Sequence, residues 1–270
     1  MTQPRRTACL SRFYVLALTT RLWAGHARQD LAQELKSHWR ENPAPKVHFE
    51  LKEAEREKRG ATTHVAYHLE TSGFPVEKSY TVWMKQSGDQ KIVRFITGYS
   101  ADASGKLVCP PESQPTASNS SDLPIPCAKL SMPLEQFPFG IRNYHKGEAL
   151  DLALVSTDGT VRAFAHAYPF PIWAQDGKCS LTVELQDPEG KFFTVLGEGF
   201  DLGEKVKISA TSGKEIKEDS QQASPDGQLR ALLAPRVIGK ESGFATFTAI
   251  GNSCHPTVTF EWGKRAMKIQ

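Results

Sequence analysis

Short runs in which apolar and polar residues alternate fill residues 193–262, and this pattern constrains the fold more than any other feature of the chain. Glycines and the Asp-Gly pair at 226–227 separate the runs. A side-chain period of two is typical of β-strands with one buried face, and Asp-Gly favours tight turns. The stretch therefore predicts a β-sandwich whose apolar faces include Val206, Ile208, Leu229, Leu232, Phe244, Thr246, Thr248, Val258, Phe260 and Trp262.

The same alternation occurs closer to the N-terminus. Apolar residues alternate with polar ones over 47–51 and again over 65–69, on either side of the highly charged segment 52–60. This predicts a hairpin with one buried and one solvated face, joined by a charged turn.

Several short motifs occur twice. Residues 158–164 (DGTVRAF) match residues 226–232 (DGQLRAL), 68 positions further along. Gly147-Glu148 likewise matches Gly203-Glu204, and Gly73-Phe74 matches Gly199-Phe200. An internally repeated strand–turn–strand unit explains these matches. Because the shared residues are those that set turn geometry, we interpret them as scaffold.

Length and composition limit the class of protein. The 270 residues suffice for about two domains with cores of their own. A hydrophobic content of 39% and a charged content of 23% are ordinary for a globular protein. The 33 basic and 30 acidic residues are interspersed, so the sequence predicts no nucleic-acid-binding stripe.

Three segments resemble a known group of domains. GEGFDLGEKVKI, SPDGQLRALLAP and CHPTVTFEWG are similar to the Ig-like or transthyretin-like β-sandwich repeats of secreted bacterial proteins. The resemblance covers residues 178–264 well and 45–177 more weakly. It implies an all-β fold of two consecutive Ig-like sandwiches and a place outside the cytoplasm, and it supplies no catalytic residue.

These patterns divide the chain into units. We predict a first sandwich at 45–177, which is composite in one interpretation, a second at 178–264, and a basic tail at 265–270. The proline-containing segment 168–173 (YPFPIW) is expected to stiffen the joint between the sandwiches.

The first residues have the pattern of a signal peptide over 1–27. Arg5 and Arg6 precede the apolar run 13–18, and small residues before Arg28 suit cleavage. A disordered tail or a misassigned start is the alternative. Residues 28–44 predict a short helix and linker, because apolar residues recur there at helical spacing before prolines. The sequence contains no apolar run long enough to predict a transmembrane helix.

Four cysteines remain if Cys9 leaves with the signal peptide, and an even number suits disulfides. Cys109 and Cys127 flank a loop rich in proline and serine. Cys179 and Cys254 precede the first and last strands of the second sandwich, which lie side by side and parallel in many Ig-like sandwiches. We therefore predict disulfides 109–127 and 179–254. Four reduced thiols in a cytoplasmic protein are the alternative.

Three histidines on the first hairpin are candidate metal ligands. If strands 47–51 and 64–70 pair about the charged turn, His48 faces His68 and Lys52 faces His64. Opposed imidazoles suit zinc or copper. The candidate metal ligands are His48, His64 and His68, with Glu50 and Glu70 nearby. The alternative is a set of exposed polar residues on a solvated face.

Aromatic residues provide a second candidate site. Exposed aromatic rings stack on sugars and other apolar faces, and Trp83, Tyr99 and Trp173 are the candidates for this role. The alternative is that these rings belong to the core. We expect Glu184 and Glu261 to be exposed partners of lysine or arginine.

No linear motif for a hydrolase, a nucleotide, a cofactor or an EF-hand calcium loop occurs in the sequence. We therefore favour a non-enzymatic binding or structural module, secreted or periplasmic, with a protein or carbohydrate partner at the cell surface and no cofactor. The alternative is a metal-dependent or hydrolytic enzyme whose site is built from loops of both domains.

Overall fold

The computed structural model describes residues 46–85, 91–111, 124–130 and 132–270, together with Leu35, Trp39 and Ala44. These residues are almost entirely β-structure, which confirms the predicted all-β fold. The strands of the first half are β1 (His48–Arg59), β2 (Thr62–Ser72), β3 (Ser79–Lys85), β4 (Ile92–Ala101), β5 (Leu107–Val108), β6 (Ile125–Pro126), β7 (Phe139–Ile141), β8 (Leu150–Ser156) and β9 (Arg162–Ala167).

The second half continues with strands of similar length. They are β10 (Ile172–Asp176), β11 (Cys179–Leu185), β12 (Phe193–Glu198), β13 (Lys205–Ser212), β14 (Glu215–Gln222), β15 (Leu229–Leu233), β16 (Ser242–Ile250) and β17 (Thr257–Gly263). The helical turns are α1 (Cys127–Leu130) and the 3-10 turn Leu134–Gln136. Within the described ranges, no helix is long and apolar enough to cross a bilayer.

The first sandwich consists of two sheets around one core. Strands β1, β2 and β7 form the smaller sheet. The larger sheet has the order β5-β4-β3-β8-β9, with β6 pairing β4. Inward-facing residues of both sheets meet in the core, including Leu51, Val65, Leu69, Tyr80, Ile96, Tyr99, Leu152 and Leu154.

The first hairpin is longer than predicted. Strands β1 and β2 run through the charged segment and turn at Gly60 and Ala61, where Gly60 adopts a φ of +64°. The predicted charged turn is therefore wrong. Cross-strand and same-strand ion pairs, such as Arg59 with Glu57 at 2.7 Å, let these charged residues remain in an exposed strand.

The outer face of the larger sheet is also apolar. Trp83, Ala153 and Val155 are buried there against Leu35, and Trp39 stacks edge-on with Phe164 at 5.7 Å between ring centres. Leu35 and Trp39 belong to the predicted helix and linker over 28–44, most of which lies outside the described residues. The predicted signal peptide over 1–27 lies outside them entirely.

The second sandwich packs two four-stranded sheets face to face. Their orders are β10-β11-β12-β15 and β14-β13-β16-β17, so β10 and β17 are edge strands on the same side. The core between the sheets contains Leu181, Val183, Phe193, Val195, Val206, Phe247, Phe260 and Trp262. Strand β10, which lies before the predicted boundary at 178, pairs with β11 of this sandwich.

Both predicted disulfides are present, Cys109–Cys127 and Cys179–Cys254. The expected arrangement of the second pair is wrong, because β11 and β17 lie in opposite sheets and not side by side. The Cys179–Cys254 bond therefore ties the two sheets of the sandwich to each other.

The repeated glycine motifs occupy equivalent turns. The backbone nitrogen of Phe74 donates to the carbonyl of Gly105, and that of Phe200 donates to Gly227, both at 3.2 Å. Gly73 and Gly199 have φ of +74° and +80°. Glycine is needed there because a Cβ would lie 2.3 Å from the carbonyl oxygen of Lys46 and 2.0 Å from that of Lys178, respectively, just before β1 and β11.

The two Gly-Glu motifs also fold alike. The backbone nitrogen of His145 donates to Glu148 at 2.7 Å, and that of Asp201 donates to Glu204 at 2.8 Å. The longest repeated motif, at residues 158–164 and 226–232, connects strands differently in its two copies. Residues 158–159 turn between β8 and β9 of one sheet, whereas 226–227 lie between strands β14 and β15 of opposite sheets.

The two sandwiches are joined by more than the linker. Arg56 donates to the carbonyl of Pro169 at 2.9 Å, and its guanidinium lies 5.4 Å from the centre of the Phe170 ring. The amide of Leu185 donates to the carbonyl of Gly147 at 2.9 Å. These contacts hold the joint from both sides.

The final residues contribute to the same joint. The amide of Gln270 donates to Tyr144 at 3.1 Å, and its carbonyl accepts from Thr63 at 3.0 Å. Ile269 forms a β-bridge with His145. The segment predicted as a basic tail therefore lies against the first sandwich.

Candidate ligand-binding groove

A groove of about 600 Å³ runs along the side of the second sandwich where β10 and β17 are both edge strands. We call it the edge groove. It is lined by residues 171–174 and 257–261, and by Lys146, Phe244, Arg265, Ala266 and Gln270. The amide of His255 donates to the Asp176 carboxylate at 2.5 Å, which ties the end of β10 to the start of β17.

Trp173 lines the groove because of the alternation in β10. Its neighbours Ile172 and Ala174 pack against the core of the second sandwich. A period of two then directs Trp173 away from the core, and its side chain is 58% exposed. Of the three aromatic residues predicted to bind a ligand, Trp173 alone is exposed.

Phe244 also lines the groove and is 52% exposed. The sequence pattern predicted that Phe244, Thr246 and Thr248 form the buried face of their strand. The structure shows the reverse, because Ala245, Phe247 and Ala249 are buried. The register of a strand fixes which face is buried, and the ring of Phe247 fills the core better than a threonine at either neighbouring position.

The Arg265 side chain covers Phe244. Its guanidinium carbon lies 5.0 Å from the centre of the ring, which is a favourable cation–π geometry. Arg265 follows β17 in a turn in which the amide of Ala266 donates to the carbonyl of Gly263 at 2.9 Å. The turn therefore places a cation above an exposed aromatic ring.

Charged and hydroxyl groups complete the lining. Glu261 is 3.7 Å from Arg265 and 3.6 Å from Lys268. Thr257 and Thr259 contact the hydroxyls of Thr248 and Thr246 at 3.0 Å and 2.9 Å. The groove thus combines two exposed aromatic rings with hydroxyl groups and with side chains of positive and negative charge. This combination suits polar ligands that have one flat apolar face.

Two predicted aromatic ligand-binding residues lie elsewhere. Trp83 is 6% exposed and lies in one buried cluster with Leu35, Ala153 and Val155. Tyr99 is fully buried in the core of the first sandwich. Neither ring is accessible to an external ligand, so a role in stacking is wrong for both residues.

The predicted pairing of histidines is wrong as well. In the observed register, His48 faces Ser72 and His68 faces Lys52. A bulge between Glu53 and Glu55 then places His64 opposite Glu57. His64 and His68 are four residues apart on one strand, which corresponds to about 13 Å. The three histidines therefore do not converge on one ion.

A different group on the same solvated face has metal-ligand chemistry. Donor atoms of His48, Glu50 and Glu70 lie within 4.8 Å of one another, and all three side chains are exposed. Lys52 occupies the same cluster, 2.6 Å from Glu70 and 3.9 Å from Glu50. The hydrogen bond to Glu70 raises the pKa of Lys52, so its ammonium group remains charged and competes with a metal ion for these carboxylates.

Glu184 is buried, and not exposed as the sequence suggested. The Tyr168 hydroxyl donates to it at 2.8 Å at the joint between the sandwiches. Glu261 does pair with arginine and lysine as expected.

Sequence reasoning missed Phe244, Arg265 and Lys146 as groove residues. Phe244 was assigned to the buried face, and Arg265 was assigned to a tail. A usable signal was present in the run FATFTAI, in which a shift by one residue gives an equally regular buried face through 245, 247 and 249.

No protein-family model and no curated protein matches this chain. Among solved structures, the chain is similar to the crystal structure of a tetra-tandem repeat in the extending region of a large adhesion protein. The two share 12% identity, and the match covers 80% of this chain with a TM-score of 0.24. The match covers only 49% of that protein's chain. A TM-score this low does not establish a common fold, so neither architecture nor function follows from it.

Proposed function

We propose that this chain is a non-enzymatic binding module that acts outside the cytoplasm and holds a protein or glycan partner in the edge groove. The observation that carries the proposal is the exposed Trp173 side chain, which lies with the Arg265-covered Phe244 ring in one groove. Large aromatic side chains that remain exposed in a concave site are typical of binding surfaces.

The two disulfides support a secreted or periplasmic location. Disulfides persist in oxidising compartments and are rare in the cytosol. The resemblance of residues 178–264 to Ig-like repeats of secreted bacterial proteins implies the same location.

The contacts between the two sandwiches support the proposal that the chain also has a structural role. Backbone hydrogen bonds from Leu185 to Gly147 and from Thr63 to Gln270 cross between the two units. A joint held by several contacts presents the groove at a fixed angle, whereas a flexible linker would let it rotate.

The rival proposal is a metal-dependent or hydrolytic enzyme. Its best candidate centre is the cluster of His48, Glu50 and Glu70, which is exposed and already contains the Lys52 ammonium group. Catalytic groups usually lie in clefts that exclude water, so this cluster supports the enzyme less well than the groove supports binding.

The test is a binding screen with the full chain against immobilised bacterial and host polysaccharides and extended peptides. We expect at least one class to be retained, with affinity reduced about tenfold or more in Trp173→Ala. Ile238→Ala is the matched control, because Ile238 is an exposed apolar residue that does not line the groove.

Two outcomes would contradict the proposal. One is binding that Trp173→Ala leaves unchanged. The other is turnover of a substrate in a broad hydrolase panel that His48→Ala or Glu70→Gln abolishes, which would favour the enzyme.

A further inference from the structure

We propose that the edge groove binds an acidic polysaccharide, a chain of sugar rings that carry carboxylates. This inference rests on the proposed binding function and adds the chemical class of the ligand. In this arrangement Trp173 stacks on the apolar face of a sugar ring, and Arg265 and Lys146 bind carboxylates on the chain.

Arg265 has the properties of a carboxylate receptor. Stacking on Phe244 at 5.0 Å limits the positions of its guanidinium group. Its ion pair with Glu261 is long, at 3.7 Å, and Lys268 shares that carboxylate at 3.6 Å. The Phe244 ring therefore orients the planar guanidinium group of Arg265, while the N–H donors of that group interact only weakly with Glu261. This arrangement suits bidentate binding of a ligand carboxylate.

Lys146 adds a second cation to the groove. Its side chain is exposed, and it forms no ion pair with any residue in the described part of the chain. Among the lining residues, Lys146 and Arg265 are positive and Glu261 is negative. Because Lys268 also neutralises Glu261, the groove has a net positive charge that complements a polyanion.

Trp173 makes a sugar polymer a better occupant than a simple anion. An indole that shares a groove with two cations offers a flat apolar face together with positive charge, and a uronic acid ring carries the complementary C–H face and carboxylate. The hydroxyls of Thr257 and Thr259 supply further hydrogen-bonding groups for ring hydroxyls.

The experiment measures binding of the full, disulfide-bonded chain to polygalacturonate by isothermal titration calorimetry at low and at physiological salt. The comparison ligands are the same polymer with its carboxylates reduced to alcohols, and polyglutamate as an acidic polypeptide. We expect polygalacturonate to bind, and we expect the reduced polymer and polyglutamate each to bind at least about tenfold more weakly.

Substitutions of groove residues test whether polygalacturonate binds in the edge groove. Arg265→Gln and Trp173→Ala are each expected to weaken binding of polygalacturonate about tenfold. Lys264→Gln is the matched control, because Lys264 neighbours Arg265 but pairs with Glu241 at 2.5 Å and does not line the groove. We expect it to bind like the parent chain.

Three results would overturn the inference. They are equal binding of the reduced polymer, equal binding of polyglutamate with no effect of Trp173→Ala, and absence of polygalacturonate binding. If a neutral glycan or a peptide binds instead and Trp173→Ala abolishes that binding, the acidic ligand is wrong while the proposed binding function stands.

Discussion

Cys179, at the start of β11, is bonded to Cys254, which precedes β17 in the opposite sheet of the second sandwich. The bond joins residues 75 positions apart, whereas Cys109–Cys127 joins residues 18 apart. In the chain-entropy model, a longer closed loop restricts the unfolded chain more. The bond between the sheets is therefore expected to stabilise the protein more than the bond in the first sandwich.

We predict that replacing Cys179 and Cys254 together with alanine lowers the free energy of unfolding by about 4 kcal/mol, and that the same change at Cys109 and Cys127 lowers it by about 3 kcal/mol. Urea denaturation of the two double variants and the parent chain measures both losses. A larger loss at Cys109 and Cys127 would show that the loop-length argument does not govern these bonds.

Gly199 and Gly177 allow a test of the repeated turn. Both have positive φ, +80° and +57°, but a Cβ at Gly199 would lie 2.0 Å from the carbonyl oxygen of Lys178, and one at Gly177 meets nothing within 4 Å. We predict that Gly177→Ala costs about 1–2 kcal/mol from its backbone conformation alone. Gly199→Ala should cost about 4 kcal/mol or more, because the backbone at Lys178 has to move. Equal losses in thermal denaturation would contradict this explanation of the motif.

Arg56 provides a test of the joint. Its contacts with Pro169 and Phe170 connect the first hairpin to the linker between the sandwiches. We predict that Arg56→Ala broadens the distribution of angles between the two sandwiches, measured by small-angle X-ray scattering and residual dipolar couplings. Arg59→Ala is the control, because Arg59 pairs with the exposed Glu57 on the same strand. The role of Arg56 is refuted if both variants keep the parent's angular distribution.

The core tyrosines predict the behaviour of the protein at high pH. Burial raises the pKa of Tyr67, Tyr80 and Tyr99 to about 12, whereas an unfolded tyrosine has a pKa of about 10. Above pH 10 the unfolded chain therefore loses these protons more readily than the folded chain. Stability should be fully present below about pH 10 and decline as pH rises to about 12, by up to about 1.4 kcal/mol per pH unit for each tyrosine.

Phenylalanine variants test this prediction. The Tyr99 hydroxyl has no hydrogen-bond partner in the described part of the chain, so Tyr99→Phe should leave stability at pH 7 nearly unchanged and make the alkaline decline shallower. The Tyr80 hydroxyl donates to Pro75 at 2.9 Å, so Tyr80→Phe should cost about 1 kcal/mol at pH 7. Urea denaturation at pH 7 to 12 compares the variants, and an unchanged alkaline decline in Tyr99→Phe would contradict the assignment.

The sequence predicted the all-β fold because side-chain alternation is a local signal. It also predicted both disulfides, although the strand arrangement expected for Cys179–Cys254 was wrong. It did not predict which face of β16 is buried, because Phe244 and Phe247 each give a regular alternation and only the partner strands select one. The register of the first hairpin was missed for a similar reason. Charged residues such as Lys58 and Arg59 resemble a turn in sequence, yet the strand continues through both of them to the turn at Gly60, and Arg59 forms an ion pair with Glu57.

In the groove as well, some residues could be predicted from the sequence and others depend on the tertiary structure. Trp173 was a candidate because of its residue type, since exposed aromatic rings stack on sugars, and the structure shows that its side chain is exposed. Arg265 acquires its role only when β16 and the turn after β17 bring it over Phe244, which is 21 positions earlier in the chain. Long-range pairing of this kind leaves no pattern within a short window of sequence.

The most direct test of binding in the edge groove is amide hydrogen exchange of the full chain with and without the ligand retained in the screen. Edge strands have backbone amides that are not paired in a sheet, so a bound ligand slows their exchange measurably. We predict that protection is concentrated in Ile172–Asp176 and Thr257–Gly263 and in the turn that contains Arg265. Protection confined to the first sandwich, or to the exposed face that carries His48 and Glu70, would contradict binding in the groove.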